Sequence, residues 1–488
     1  MRPISRRSAL TMGGVGLVSA AVGGTGLWQE LSTSRLDPVV GSEFFEPEVL
    51  RSEGGELHVR LEAAMGTHDV AGRQAKTMGF NGGVPGPTLM LRPGDTLSVE
   101  LVNGLEQVTN LHTHGFHVSP EGNSDNVFLA VEPGASQQYE YRLPEDHPPG
   151  VYWYHPHHHG NVADQVFGGL YGAIIIEDDG AIPVDRERVM VISDISLERD
   201  GSLVSPSSMD QMTGREGDLV LVNGRTEPDL QGRAGQRERW RVVNACASRY
   251  LSLTLSGQDA RVVGRDAGRL GSTVALEEVV LAPGNRLDLV VDLAEGNGEL
   301  VAKPVDRGAM MGQMMGGGAM GGEEGPLTVA RMSVSAGGGP TNREVPAAPA
   351  RRDLRGVDIA GRRSLTFETG MGSMMGGGDG PMSFTFGGRE FDADRLDQRV
   401  ALGTVEEWTI GNDSPMDHPF HLHVWPMQVL EADGQALTEP LWLDVVNVPA
   451  RSQVTVRIAF EDFGGRTVYH CHILDHEDRG MMGTVLAE

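Results

Sequence analysis

Four histidine pairs stand out by their spacing: His112-Thr113-His114, His155-Pro156-His157, His421-Leu422-His423 and His470-Cys471-His472. In a strand, residues i and i+2 point to the same face with backbones about 7 Å apart. Each pair therefore offers two imidazoles side by side, far enough apart to serve neighbouring metal ions. Cys471 interrupts one pair and must face opposite to its neighbours. His418 lies just upstream of the third pair, and His476 and Met481 lie downstream of the fourth. One Cys, two His and a distant Met thioether are the ligands of a blue-copper centre, suited to one-electron transfer. Met482 is a rival for the thioether position. Peptide bonds join Cys471 to His470 and His472, so a short covalent path links this centre to the imidazoles.

The elements that must position these residues show themselves as a repeat. Segments Pro93 to Asn103, Ala234 to Asn244 and Leu402 to Asn412 each carry Gly in second place and Asn in last. Gly94, Gly235 and Gly403 lie 141 and 168 residues apart, which is domain spacing. The pattern predicts three related domains, at 45–180, 185–335 and 345–488, after a leader at 1–35. His112 and His114 fall nine and eleven residues after Asn103, as His421 and His423 do after Asn412. The same offsets from Asn244 hold Leu253 and Leu255. His155 and His470 follow matching loop signals at Pro133-Gly134 and Pro449-Ala450, whereas the middle domain has Pro283-Gly284 and no histidine. Eight imidazoles are thus split evenly between the outer domains, where a pseudo-symmetric interface would gather them. The middle domain reads as a chemical spacer.

Runs such as 96–102, 172–177 and 287–293 are rich in Val, Leu and Ile and bounded by turn signals, and no stretch sustains a helical period. The fold class expected is all-β, built of Greek-key β-sandwich domains, and 488 residues suffice for three at about 150 each. The net charge of −27 repels nucleic acid and anionic lipid. All 40 basic residues except Lys76 and Lys303 are Arg. Arg6-Arg7, followed by a short, weakly apolar stretch, resembles a twin-arginine signal, which predicts export; an ordinary secretion signal or an uncleaved anchor are the alternatives. No later segment has the roughly 20 apolar residues of a membrane span. Cys246 and Cys471 are the whole cysteine complement, and the histidines around Cys471 favour a metal over a disulfide.

His112-Thr-His114-Gly115, Trp153-Tyr154-His155-Pro156-His157, His418-Pro-Phe-His421-Leu-His423 and His470-Cys471-His472-Ile-Leu-Asp-His476 resemble the four copper signatures of the multicopper oxidases. That group includes laccases, bilirubin oxidases and bacterial cuprous oxidases, and the resemblance spans essentially the whole chain after the leader. It implies cupredoxin-like domains and four copper ions. A type 1 copper would sit on His418, Cys471, His476 and Met481, the family spacing favouring Met481 over Met482. A type 2 copper would sit on His112 and His421. The two type 3 coppers would use His114, His155 and His472, and His157, His423 and His470. The implied reaction takes single electrons from a donor and delivers four to dioxygen, releasing water. Protons are consumed as well, which calls for carboxylates near the cluster. Glu477 matches the family's proton-relay acid; Asp125 is a second candidate, although the family's acid falls earlier, where Asn123 stands. His117, His147, His158 and His159 have no repeat partners and read as supporting or surface residues.

Two low-complexity stretches bear on the donor. Residues 310–320 carry Met310, Met311, Met314, Met315 and Met320, and 371–382 carry Met371, Met374, Met375 and Met382. Thioethers prefer Cu(I), similar loops occur near the type 1 site of copper-tolerance oxidases, and Met416 would extend such a site. A loop that only shields the type 1 copper is the alternative, with phenols as donors. Beyond dioxygen and its donor, the expected state is a monomer. A copper-sequestering or envelope scaffold on the same fold is the competing non-enzymatic reading, but such relatives lose the cysteine and histidines kept here. Copper nitrite reductase has no use for four histidine pairs.

Overall fold

Strand Thr96–Gly104 buries Leu97, Val99, Leu101 and Asn103 and leaves the residues between them partly in water. A period of two makes such a strand one wall of a sandwich. The computed structural model describes residues 35–308, 325–370 and 383–488, apart from 179, 181, 340–342, 349, 350 and 433. Residues 1–34 of the leader expected at 1–35, and both methionine-rich stretches, lie outside the described residues.

Six sheets form three all-β sandwiches of the cupredoxin type. In the first, a five-stranded sheet ordered Val49–Arg51, Thr88–Leu91, Gly172–Ile176, Gly150–His155, His112–His114 faces a four-stranded one, around Leu97, Leu101, Tyr152 and Ile174. The second centres on Trp240, Leu253 and Leu289. The third joins a six-stranded sheet to a five-stranded one ordered Gln398–Val400, Met482–Ala487, Gly465–Cys471, His418–Leu422, Val445–Val448, around Trp408, Phe420 and Tyr469.

The repeat strands occupy equivalent places. Thr96–Gly104, Arg237–Asn244 and Thr404–Asn412 each pair in parallel with an earlier strand and antiparallel with a later one. Gly94, Gly235 and Gly403 turn the chain into these strands at φ of 84°, 84° and 81°, a region that favours glycine. The closing asparagines do one job three times. Asn103 donates to Gln107 O and Val131 O, Asn244 to Arg249 O and Leu281 O, and Asn412 to Met416 O and Val448 O. Each also accepts from the backbone N–H two residues on. Trp240 and Trp408 bond to Glu238 and Glu406, which pair with Arg188 and Arg363. One loop equivalence shifts by a residue. Ser452 O bonds the Asn412 N–H as Ala135 O and Asn285 O bond Asn103 and Asn244, so Arg451, at φ 57°, takes the place of Gly134 and Gly284.

Among the described residues, three short α-helices lie in connections: α1 (Val162–Phe167), α2 (Ser208–Thr213) and α3 (Leu474–Glu477), with α1 and α2 both touching α3. Replacing Asn244 or Asn412 by Ala removes two bonds to buried carbonyls and one from a buried N–H. Each is expected to cost about 2–4 kcal/mol, read as a lowered urea midpoint, with Asn412→Ala alone loosening the His418 strand.

Candidate metal centre

The histidine pairs sit on neighbouring strands whose register aligns them. His112 stands opposite His155 in the first sandwich, and His421 opposite His470 in the third. The two sandwiches meet at these edges. His114 stacks on His421 at 4.0 Å and His112 on His423 at 3.9 Å, while His157 and His470 lie 4.7 Å apart, ring centre to ring centre. All eight imidazoles converge at one interface, and none is more than 2% exposed.

Four of the outer nitrogens are fixed by hydrogen bonds. Nδ1–H of His112 donates to Asp125 at 2.9 Å, of His155 to Pro156 O at 2.7 Å, of His421 to Asp444 O at 2.8 Å and of His470 to Cys471 O at 3.0 Å. Each bond turns the Nε2 lone pair inward. Nε2 of His112, His114, His155, His421 and His472 is buried with no partner, and His157 Nε2 lies 3.0 Å from His470 Nε2. Burial, reinforced by the neighbouring rings, holds His112, His114, His157, His421, His423 and His472 well below the usual histidine range. Neutral, inward-facing and unpaired nitrogens are what metal ligation requires, and their desolvation is otherwise unfavourable. The residues fit a multi-copper cluster. His157, His423 and His470 already form one compact ligand group, and His112, His114 and His155 another. His472 reaches the cluster from the opposite sandwich, 4.9 Å from the His114 ring and 5.9 Å from that of His155.

Behind Cys471 lies the second centre. Its Sγ is 3.3 Å from His418 Nδ1 and 3.9 Å from His476 Nδ1, which are 3.4 Å from each other. All three residues are fully buried. Burial pushes the thiol above its ordinary range, so a cation is needed to hold it as thiolate. Met416 and Met481 belong to the same core cluster as Cys471, whereas Met482 packs with Val127 and Val468. Cys246 and Cys471 are both free thiols.

The carboxylates also reach the cluster. Glu477, buried, lies 3.1 Å from His470 Nδ1 and 3.5 Å from His157 Nε2. Asp125 accepts from His112 and the Thr113 N–H and is 3.6 Å from His423 Nδ1; burial pushes its carboxyl up to about 7. Asn123 is exposed in the loop, so the carboxylate at the cluster comes from two residues later. His117 ties the first and third sandwiches together through Val424 O and Asp462, His147 accepts from the His117 N–H behind it, and His159 packs on Phe391.

The sequence reading missed Asp444. Its carboxylate lies 3.3 Å from His114 Nε2 and 4.0 Å from His421 Nδ1 and is gripped by Arg286 through two 2.5 Å bonds. Arg286 belongs to the middle sandwich, which contributes no imidazole but is therefore no mere spacer. The pair explains the glycine after His114: a Cβ at Gly115, φ 88°, would sit 2.3 Å from the Arg286 guanidinium and 2.5 Å from Asp444 Oδ2. The only signal was an acid set in the apolar run Leu441-Trp442-Leu443-Asp444-Val445-Val446.

Comparison with known proteins places this architecture. Residues 62–181, 191–302 and 359–488 each match a multicopper oxidase family domain. The chain is 29% identical to a multicopper oxidase of Staphylococcus aureus over 91% of its own length and 92% of the relative's. It is 26% identical to a laccase of Bacillus subtilis over 83% and 88%. The structure of a multicopper oxidase from Campylobacter jejuni, described as a metallo-oxidase, superposes with a TM-score of 0.82 at 30% identity, covering 93% of this chain and 98% of that one.

Arg286→Met leaves Asp444 buried without its cation. It is expected to destabilise the protein by about 3–5 kcal/mol, and adding Asp444→Asn should restore at least half of that loss. A double-mutant cycle in urea checks both.

Proposed function

The chain belongs to the multicopper oxidase family, and from that premise we propose that it holds four copper ions and takes its electrons from cuprous ion. It is a copper oxidase that passes electrons from reducing substrates to dioxygen. In this reading His418, Cys471, His476 and Met481 hold the type 1 ion, and His112 and His421 the type 2 ion. His114, His155 and His472 hold one type 3 ion; His157, His423 and His470 hold the other. When bound, copper supplies one-electron acceptance at the Cys471 centre and four-electron reduction of dioxygen to water at the imidazole cluster. The protein excludes bulk water from both, fixes the tautomers of His112, His155, His421 and His470 from behind, and sets Glu477 and Asp125 beside the rings as the proton-relay acids. Arg6-Arg7 supports export by the twin-arginine route, and we read the chain as a monomer.

The cuprous donor rests on one observation: a described residue on one flank of each methionine-rich stretch lies against a type 1 ligand or its neighbour. Gly308 bridges to Met416, two residues before His418, and Phe384 stacks on His476 at 4.3 Å. Soft thioethers beginning and ending there would present Cu(I) beside the type 1 pocket. The metallo-oxidase description of the Campylobacter jejuni neighbour supports this reading. Phenols are the second reading, favoured by the relative named a laccase.

Deleting 310–320 and 371–382 should lower cuprous oxidation at least tenfold, on the order of one lost binding contact, and leave phenol turnover undiminished. Steady-state rates on both donors decide. Cuprous oxidation that is unchanged or faster after deletion would remove the metal-ion role and leave a shield over the type 1 site.

A further inference from the structure

The outer edge of the Cys471 centre is already occupied. His476 turns Nδ1 toward Cys471 and presents Nε2 on the side where α2 lies. There the Nε2–H donates to the Met212 carbonyl at 3.2 Å. His476 itself is fully buried, whereas Met209 on the same helical turn is 47% exposed, so one turn of helix separates the ring from solvent.

That turn is held from several directions. A capping box between Ser207 and Asp210 closes its start. Gln211 accepts from Arg479 at 2.6 Å. Immediately after α2, a Cβ on Gly214 would stand 2.6 Å from Ile473, and Arg215 grips Asp475, next to His476, with bonds of 2.6 to 3.0 Å. Met212 packs its side chain against the core of the third sandwich. The segment belongs to the middle sandwich, in the connection between Arg186–Ile195 and Leu219–Val222, and is distinct from both methionine-rich stretches.

We propose that α2 determines donor class: the Met212 carbonyl takes the position on His476 Nε2–H that an organic donor's oxygen would need. Bulky phenols are thereby kept from contact with the ring, while a small ion can deliver its electron at the pocket's margin. Each cuprous ion oxidised leaves as Cu(II) and gives one electron. Four such electrons, with four protons, convert one dioxygen to two waters. The inference rests on the type 1 assignment and deepens the donor reading above.

Two holoenzyme variants test it. One replaces 206–213 by a short Gly-Ser linker; the other, Ser207→Ala/Asp210→Ala/Arg479→Ala, keeps the chain length should the first fail to fold. The expected result is a rise of roughly tenfold or more in kcat/KM for 2,6-dimethoxyphenol, the scale of one regained contact in a specificity pocket. Blue absorption and copper content should be unchanged, and kcat/KM for Cu(I) should not rise. Electron–nuclear double resonance after transfer to D2O should show one of the two type 1 imidazole Nε2 protons exchanging faster than in the wild type. Phenol kcat/KM within twofold of wild type in a folded variant overturns the proposal, as does unchanged proton exchange. If the variants gain phenol activity while the wild type does not oxidise Cu(I), the cuprous reading fails and the role of α2 stands. If the wild type oxidises Cu(I) but neither variant gains phenol activity, the reverse holds.

Discussion

Neutral imidazoles packed edge to face out of water, with lone pairs turned toward one another, destabilise a fold unless something electrophilic sits between them. Eight such rings lie at the meeting of the first and third sandwiches, none more than 2% exposed. Much of the local structure follows from keeping them so. The carbonyls of Pro156, Asp444 and Cys471 and the Asp125 carboxylate occupy the outer nitrogens of four of these rings and turn their Nε2 atoms inward. The strand registers that set His112 against His155 and His421 against His470 bring two rings from each sandwich to one depth.

The middle sandwich braces the outer two where they close around the cluster. Arg286 reaches in to bond Asp444, Val151 O and Gly284 O, and through its backbone N–H meets Asp266. One buried guanidinium thus ties all three sandwiches together behind His114. On the other side, Arg215 from the middle sandwich bonds Asp475 and Asp164, which fixes α3 and with it His476. A unit without a single histidine therefore orients ligands of both centres.

What was legible in the sequence was whatever the repeat could measure. The offsets from Asn103 and Asn412 found the paired imidazoles, and the asparagines proved to be staples with the same three bonds in each sandwich. Cys471 between two ligands told its own chemistry, because a strand sends alternate residues to opposite faces. Contacts between domains were not legible. Nothing in a linear spacing links Arg286 to Asp444, 158 residues away, or Met212 to His476, 264 away. The place of Asp125 was half legible: the sequence set it two residues past the family position, and only the turn of its loop brings the carboxylate to His112. Loop equivalence by Pro-Gly signals failed by one residue at Arg451, because a left-handed residue need not be glycine.

In the function proposed for this chain, the outer sandwiches divide four coppers between a Cys471 centre and one shared imidazole cluster. Anomalous diffraction at the copper edge from crystals of the holoenzyme tests it most directly. Four peaks are expected, one among His418, Cys471 and His476 and three among the eight paired histidines. Copper coordinated by side chains of 185–335, or fewer than three peaks at the interface of the outer sandwiches, would contradict it.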